Sequence, residues 1–234
     1  MREARIIGLI QARMGSVRLP GKAMLPLAGK PVIWHIVDRL RRVRGLSGVA
    51  LATTIDPVND VLVAYASELG LPTWRETDEN DIAARLHNSC EQFGATAILK
   101  VNADCPLVDP SVLTALVDAY RNAPVDYVSN KIVWSFPKGL SAEVISKNAI
   151  EWCFHNLIDS TEREYVTDRI KELDSKFTHN SILSNSNYAH LDWMLDTPDD
   201  YDFMRRVFDS LYIEGGCFGM QDVLKYTSAE KGIV

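Results

Sequence analysis

"RIIGLIQARMGSVRLPGK", Arg5 to Lys22, sets a buried-strand pattern directly against a cationic, glycine-bearing loop. Arg5–Gln11 is a continuous apolar run of the length of a buried strand. The loop that follows carries Arg13, Arg18 and Lys22 together with Gly15 and Gly21. Beyond it, Pro31–Val43 has apolar residues at Val32, Ile33, Ile36, Val37, Leu40 and Val43, which is helical spacing with a proline at the start. Strand, loop and helix in that order predict the first part of a βαβ unit.

The alternation continues down the chain. Gly48–Thr54 reads as a strand, Asp56–Gly70 as a helix, Leu71–Trp74 as a short strand and Glu79–Gly94 as a helix. Thr96–Val101 is a strong strand, Asp109–Ala123 a helix and Asp126–Asn130 strand-like. Such alternation predicts an α/β fold with a largely parallel sheet flanked by helices. After about residue 130 the pattern changes. Segment 131–188 mixes a short strand (Ala142–Ile145), helices over Lys147–Ile158 and Thr161–Leu173, and a strand-like piece (Lys176–Leu183). It reads as an inserted subdomain within one domain, 1–234. Leu191–Leu195 is expected to return to the sheet as a strand, with a last helix opening near Pro198 and at most one short helix beyond Ile213.

Composition narrows the function classes. A net charge of -6 argues against a general nucleic-acid binder, which shows a broad basic excess. No apolar run approaches membrane-spanning length. The start, with Arg2 and Arg5 before a short apolar stretch that runs into Arg13, lacks the form of a secretion signal, so a cytoplasmic protein is expected. Cys90, Cys105, Cys153 and Cys217 form no CxxC and are expected as reduced thiols. The five histidines show no ligand spacing, and His35, on a mostly apolar helix, reads as structural.

The cationic loop is not a common phosphate loop. Five residues separate Gly15 from Gly21 and Ala23 follows Lys22, so a Walker A motif is absent, as is GxGxxG. The physical ingredients of anion binding remain: glycines that admit backbone N–H groups, and cations where the first strand ends, which is where open α/β sheets place ligands. A solvated basic loop is the alternative. Asp104 follows the strong strand within three residues, and Asp196 follows Leu195. Each suits magnesium carrying nucleotide phosphates, and each is equally at home as a turn residue or helix cap.

"ARMGSVRLPGK" resembles the signature of the cytidylyltransferases that make CMP-activated acidic sugars, in particular the branch of spore-coat polysaccharide protein F, with CMP-Kdo synthetase more distant. The likeness continues through "ATTIDPVNDVLVAYASELGLP", "ADCPLVDP", "YVSN", "FPKGLSAEV", "EREYVT" and "LDTPDDYDFMRRVF", in order, over most of residues 4–212. It implies a Rossmann-like domain whose inserted arm commonly makes a homodimer. It also implies transfer of CMP from CTP to a small anionic acceptor, an acidic sugar or a phosphonate, with release of pyrophosphate. By the same resemblance, backbone groups of Ile10, Gln11 and Ala12 meet the base. Arg13, Ser16, Arg18 and Lys22 line the triphosphate, with Arg85 and Asn102 as further nucleotide contacts and Asp81 a lesser one. Asp104 and Asp196 hold Mg2+. Lys22, Arg13 and Asp104 are the expected catalytic groups. Arg85 is also accounted for by a surface ion pair.

Relatives place acids where this chain has Lys138 and Ser141, and a histidine where it has Tyr165. The acceptor side is therefore expected around Lys138, Ser141, Glu143, Arg163, Glu164 and Tyr165, with the added positive charge favouring a more anionic acceptor. Drift on an exposed loop is the alternative. Transfer of another nucleotide, such as GMP to a sugar phosphate, and a non-catalytic nucleotide-binding homologue also stay open, because backbone recognition of a base leaves few side-chain clues.

Overall fold

A computed structural model describes residues 4–123, 125–173 and 175–230; Arg2 lies outside them. The chain runs β1 (Ile6–Gln11), β2 (Pro26–Leu27), β3 (Lys30–Pro31), α1 (Val32–Arg41), β4 (Gly48–Thr54), α2 (Asp60–Glu68), β5 (Thr73–Glu76), α3 (Ile82–Phe93), β6 (Ala97–Asn102), α4 (Pro110–Asn122) and β7 (Tyr127–Ser129). It continues through β8 (Glu143–Ser146), α5 (Lys147–Asn156), α6 (Ser160–Glu164), α7 (Val166–Glu172), β9 (His179–Ser181), α8 (Pro198–Leu211) and α9 (Met220–Glu230). Seven strands form one sheet in the order β5-β4-β1-β6-β8-β7-β9. Within this sheet, among the described residues, only β8 runs against its neighbours, β6 and β7. The other pairings, including β7 with β9, are parallel. The sheet is largely parallel, as the alternation predicts.

The continuous apolar run of β1 is explained by burial on both faces. Ile6 and Ile10 enter one core, with α1, α4 and α8 residues such as Ile36, Leu113 and Phe208. Ile7 and Leu9 enter a second core, with Leu86 of α3, Ile150 of α5 and Ile170 of α7. Parallel strands covered by helices on both sides have this all-apolar signature. His35 is structural, as expected: its Nε2 lies 2.8 Å from the Leu27 carbonyl, and burial pushes its pKa down to about 4. The cysteines are free, with only Cys217 exposed. Among the described residues no helix is long and apolar enough to cross a membrane.

Three expectations are corrected. Leu191–Leu195 is not a strand of the sheet. It is an extended segment with one bridge, Lys138 to Asp192, and backbone bonds to Lys138 and Asp104. The helix expected over Thr161–Leu173 is two, broken at Tyr165, whose backbone (φ -96, ψ 33) leaves the helical region. The strand expected over Lys176–Leu183 is the three-residue β9. Segment 131–188 supplies β8, α5, α6, α7 and β9, and so extends the same sheet.

Candidate functional site

The ends of β1 and β6 are level, Gln11 opposite Asn102. A cavity of about 640 Å³ opens there, lined by Gln11, Ala12, Arg13, Ser16, Val17, Arg18, Lys22, Arg85, Asn102, Ala103, Asp104, Tyr165 and Asp196. The loop reaches it by a left-handed turn at Gly21 (φ 69), whose N–H donates to the Met14 carbonyl at 3.0 Å. A residue with a side chain resists that conformation, and glycine does not. Lys22 then starts a short 3-10 turn and points back over the strand ends. A further cavity of about 630 Å³ at the opposite end of the strands, lined by residues including Arg5, Arg41 and Gln92, has no carboxylate in its wall among the described residues.

Lys22 stands between the two aspartates. Its Nζ is 2.6 Å from Asp196 Oδ1 and 3.8 Å from Asp104 Oδ2, and it donates to the Leu195 carbonyl at 2.9 Å. Arg18 reaches Asp196 Oδ2 at 2.9 Å. The backbone makes the meeting possible: the Leu195 N–H donates to the Asp104 carbonyl at 2.8 Å. The capping alternatives for both acids are excluded. Asp109 caps α4, and Thr197 caps α8 in a capping box with Asp200. Neither Asp104 nor Asp196 is spent on a helix end.

Two carboxylates that face one ammonium, at 2.6 and 3.8 Å, are brought to the same place at the strand ends. Magnesium takes hard oxygen ligands in octahedral geometry, normally one or two protein carboxylates plus substrate phosphates and water. Among the described residues no cluster of three or more metal-ligating side chains exists. The donor set therefore fits a cation that draws its remaining ligands from a bound nucleotide.

A smaller cavity, about 320 Å³, adjoins the first and shares Gln11, Arg13, Arg85, Asn102 and Tyr165 with it. Glu79, Asn80, Ile82, Lys100, Lys131, Glu164, Thr167 and Asp168 complete its wall. Arg13 forms an ion pair with Glu79. Among the described residues Arg85 has no surface ion pair. It is buried, donates to the Glu79 carbonyl at 2.6 Å, and has its pKa lowered first by burial. The Nε atom of Arg85 and the Nε2 atom of Gln11 are buried without a hydrogen-bond partner.

The structure thus brings Gln11, Ala12, Arg13, Ser16, Arg18, Lys22, Arg85, Asn102, Asp104, Tyr165 and Asp196 together, with Glu164 on the smaller cavity. The Ile10 side chain is in the core. Asp81 is the N-cap of α3 and pairs with Arg163 at 2.8 Å. The other acceptor-side residues do not reach either wall. Lys138 is half-exposed, 3.7 Å from Asp192. Ser141 lies outside both walls. Arg163 is held by Asp81 and by the carbonyls of Phe154 and Leu157. Glu143 is buried between Lys131 and Lys100. Lys138→Asp is accordingly expected to leave the KM values for acceptor and nucleotide within about two-fold, since an exposed ion pair contributes about 0–1 kcal/mol. A ten-fold rise in acceptor KM would return Lys138 to the acceptor site. Lys100 and Lys131 were missed by sequence reasoning. The signal for the first was a cation inside the apolar strand TAILKV.

A family profile for cytidylyltransferases matches residues 7–150. The spore coat polysaccharide biosynthesis protein SpsF of Bacillus subtilis is 25% identical over 210 residues, covering 87% of this chain and 86% of that protein. The 3-deoxy-manno-octulosonate cytidylyltransferase of Nitratidesulfovibrio vulgaris is 32% identical over 123 residues, 50% of this chain and 47% of that enzyme. A solved cytidylyltransferase from Leptospira borgpetersenii superposes with a TM-score of 0.90 at 24% identity, covering 99% of this chain and 97% of that one.

Proposed function

This chain belongs to the cytidylyltransferase family, and from that premise we propose that it transfers CMP from CTP to a small acidic sugar, with release of pyrophosphate. The observation that carries the reading is Lys22 held between Asp104 and Asp196 at the strand ends. Attack of an acceptor hydroxyl on the α-phosphorus puts negative charge on the non-bridging oxygens and on the departing pyrophosphate. Positioned cations are the main means of stabilising such a transfer. In this reading Lys22 turns to the α-phosphate, and Arg13, Arg18 and Ser16 take the remaining phosphates. Asp104 and Asp196 would hold Mg2+, which supplies charge neutralisation and phosphate orientation when bound. Gln11, with its unpartnered buried nitrogen, offers a donor to the base. The apolar Val133, Trp134 and Leu183, exposed on segment 131–188, support the homodimer in the same reading.

The experiment is a thermal-shift comparison of CTP, GTP, ATP and UTP with magnesium, followed by pyrophosphate release with a panel of acidic sugars. A ligand at 100 times its Kd stabilises the folded state by about 2.7 kcal/mol, or several degrees in a chain of this size. CTP is expected to give the largest shift and the release. A larger shift and sole turnover with another triphosphate would overturn the choice of nucleotide. Absence of release with every pair would overturn catalysis.

A further inference from the structure

Lys100 is a cation without a hydrogen bond among the described residues. It sits on β6, and its side chain is nine-tenths buried. Its partner is Glu143, whose Oε2 is 3.9 Å from the Lys100 Nζ, beyond hydrogen-bond reach. The other carboxylate oxygen, Oε1, is taken by Lys131. One acid therefore serves two lysines, and the nearer lysine has the stronger claim. The Lys100 ammonium keeps three donors, with no hydrogen bond among the described residues, and it lines the smaller cavity. It does not line the larger one, where Lys22 and the aspartates lie. The ion pair with Glu143 Oε2, itself without a hydrogen bond, is too long to fill those donors. A charge so deep in the protein is costly unless its donors are met, and the cavity side leaves them open to an anionic partner from outside the chain.

The charges around that cavity agree. Glu79 is paired with Arg13, and Asp168 with Lys171. Arg85 is bonded to backbone carbonyls, with its Nε unpartnered. The remaining acid, Glu164, is on the exposed side. The buried end of the cavity is therefore positive. We propose that this end, with Lys100 as the direct contact, binds the carboxylate of the acceptor while the acceptor's hydroxyl faces the nucleotide cavity through the shared Arg13, Asn102 and Tyr165. This rests on the proposed function in assuming an acidic acceptor, and it names the group that reads the acid. Glu143 acts behind Lys100 as its counter-charge, and Lys131, paired with Glu143 and on the same wall, adds to the positive charge there.

Two measurements test it. In wild-type protein carrying 13C-labelled lysine, the Lys100 side-chain NMR signal should shift on addition of pyruvate or 3-deoxy-manno-octulosonate. In steady-state assays of pyrophosphate release, Lys100→Met should raise acceptor KM by about 10- to 100-fold, the range for a lost hydrogen bond to a charged group, and leave CTP KM within about two-fold. Lys100→Arg should recover part of the loss. A variant Lys100→Met with unchanged acceptor KM overturns the proposal and leaves the proposed function standing. If no acidic sugar releases pyrophosphate in wild type but pyruvate still shifts the Lys100 signal, the function falls and the anion site stands. A Lys100 signal unmoved by either acid overturns the site whether or not the variants fold.

Discussion

Asp196→Asn is expected to lower turnover at saturating CTP by about 1000-fold or more while leaving the protein folded. Each factor of ten is 1.36 kcal/mol of barrier, and a bound metal ion supplies several kcal/mol of transition-state charge stabilisation, so loss of a metal carboxylate reaches that range. The fold should tolerate the change for a local reason. Asparagine keeps the shape and one carbonyl oxygen, and the backbone N–H of residue 196 still donates to Asp200 Oδ2 at 3.0 Å. The pair lost with Arg18 is exposed on the arginine side, 67%, and such pairs contribute about 0–1 kcal/mol. Lys22 loses its charge partner at 2.6 Å but can donate to the asparagine carbonyl and keeps its bond to the Leu195 carbonyl. The measurement is pyrophosphate release across a magnesium titration, with the melting temperature as control. Activity within ten-fold of wild type at ordinary magnesium would remove Asp196 from the metal site.

The fold was largely legible because its main signals are local. Arg5–Gln11, Gly48–Thr54 and Thr96–Val101 announce strands buried on both faces, and Pro31–Val43 announces its helix through apolar spacing. That Arg13, Arg18, Lys22 and Asp104 share one cavity was legible for a related reason: the cations crowd one loop, and Asp104 follows a strand end. What failed was long-range. Leu191–Leu195 is apolar and short enough to read as a strand, but whether it pairs with a sheet depends on which backbone lies beside it, and here that is Lys138 and Asp104. On the acceptor side Tyr165 and Glu164 reach the cavities and others do not, for the same reason. Lys138 and Arg163 carry suitable charges, but Asp192 and Asp81 meet them away from the cavities. Lys100 shows the converse, a residue whose strand position hides its charge until the cavity above it is seen.

The same long-range contact gives the second large effect, at a residue that touches no substrate group. Gly139→Ala is expected to destabilise the fold by about 2–5 kcal/mol and lower the melting temperature by about 10 °C. Gly139 has φ +89, and a β-carbon there would lie 2.3 Å from the Trp193 carbonyl oxygen, 2.5 Å from its carbon and 2.9 Å from the Met194 nitrogen. All three are backbone atoms, so no side-chain rotation relieves the overlap. Relief requires the 191–195 segment to move. That segment is tied to Lys138 by the bonds Lys138 N–H to Leu191 and Trp193 N–H to Lys138, and it seats the buried Trp193 and Leu195. Its next residue is Asp196. The strain of a left-handed alanine alone is about 1–2 kcal/mol, and overpacking adds about 1–3 kcal/mol. Gly70→Ala separates the two, because Gly70 has φ +67 with nothing within 4 Å of its added carbon. It should cost the strain alone. Turnover measured well below both melting temperatures should fall at least ten-fold in Gly139→Ala, through displacement of Asp196, and stay near wild type in Gly70→Ala. Equal melting temperatures for the two variants would show that the turn at Gly139 yields without moving the chain beside it. Near-normal turnover in a destabilised Gly139→Ala would show that Asp196 is positioned by Lys22, Arg18 and Asp200 without the 191–195 segment.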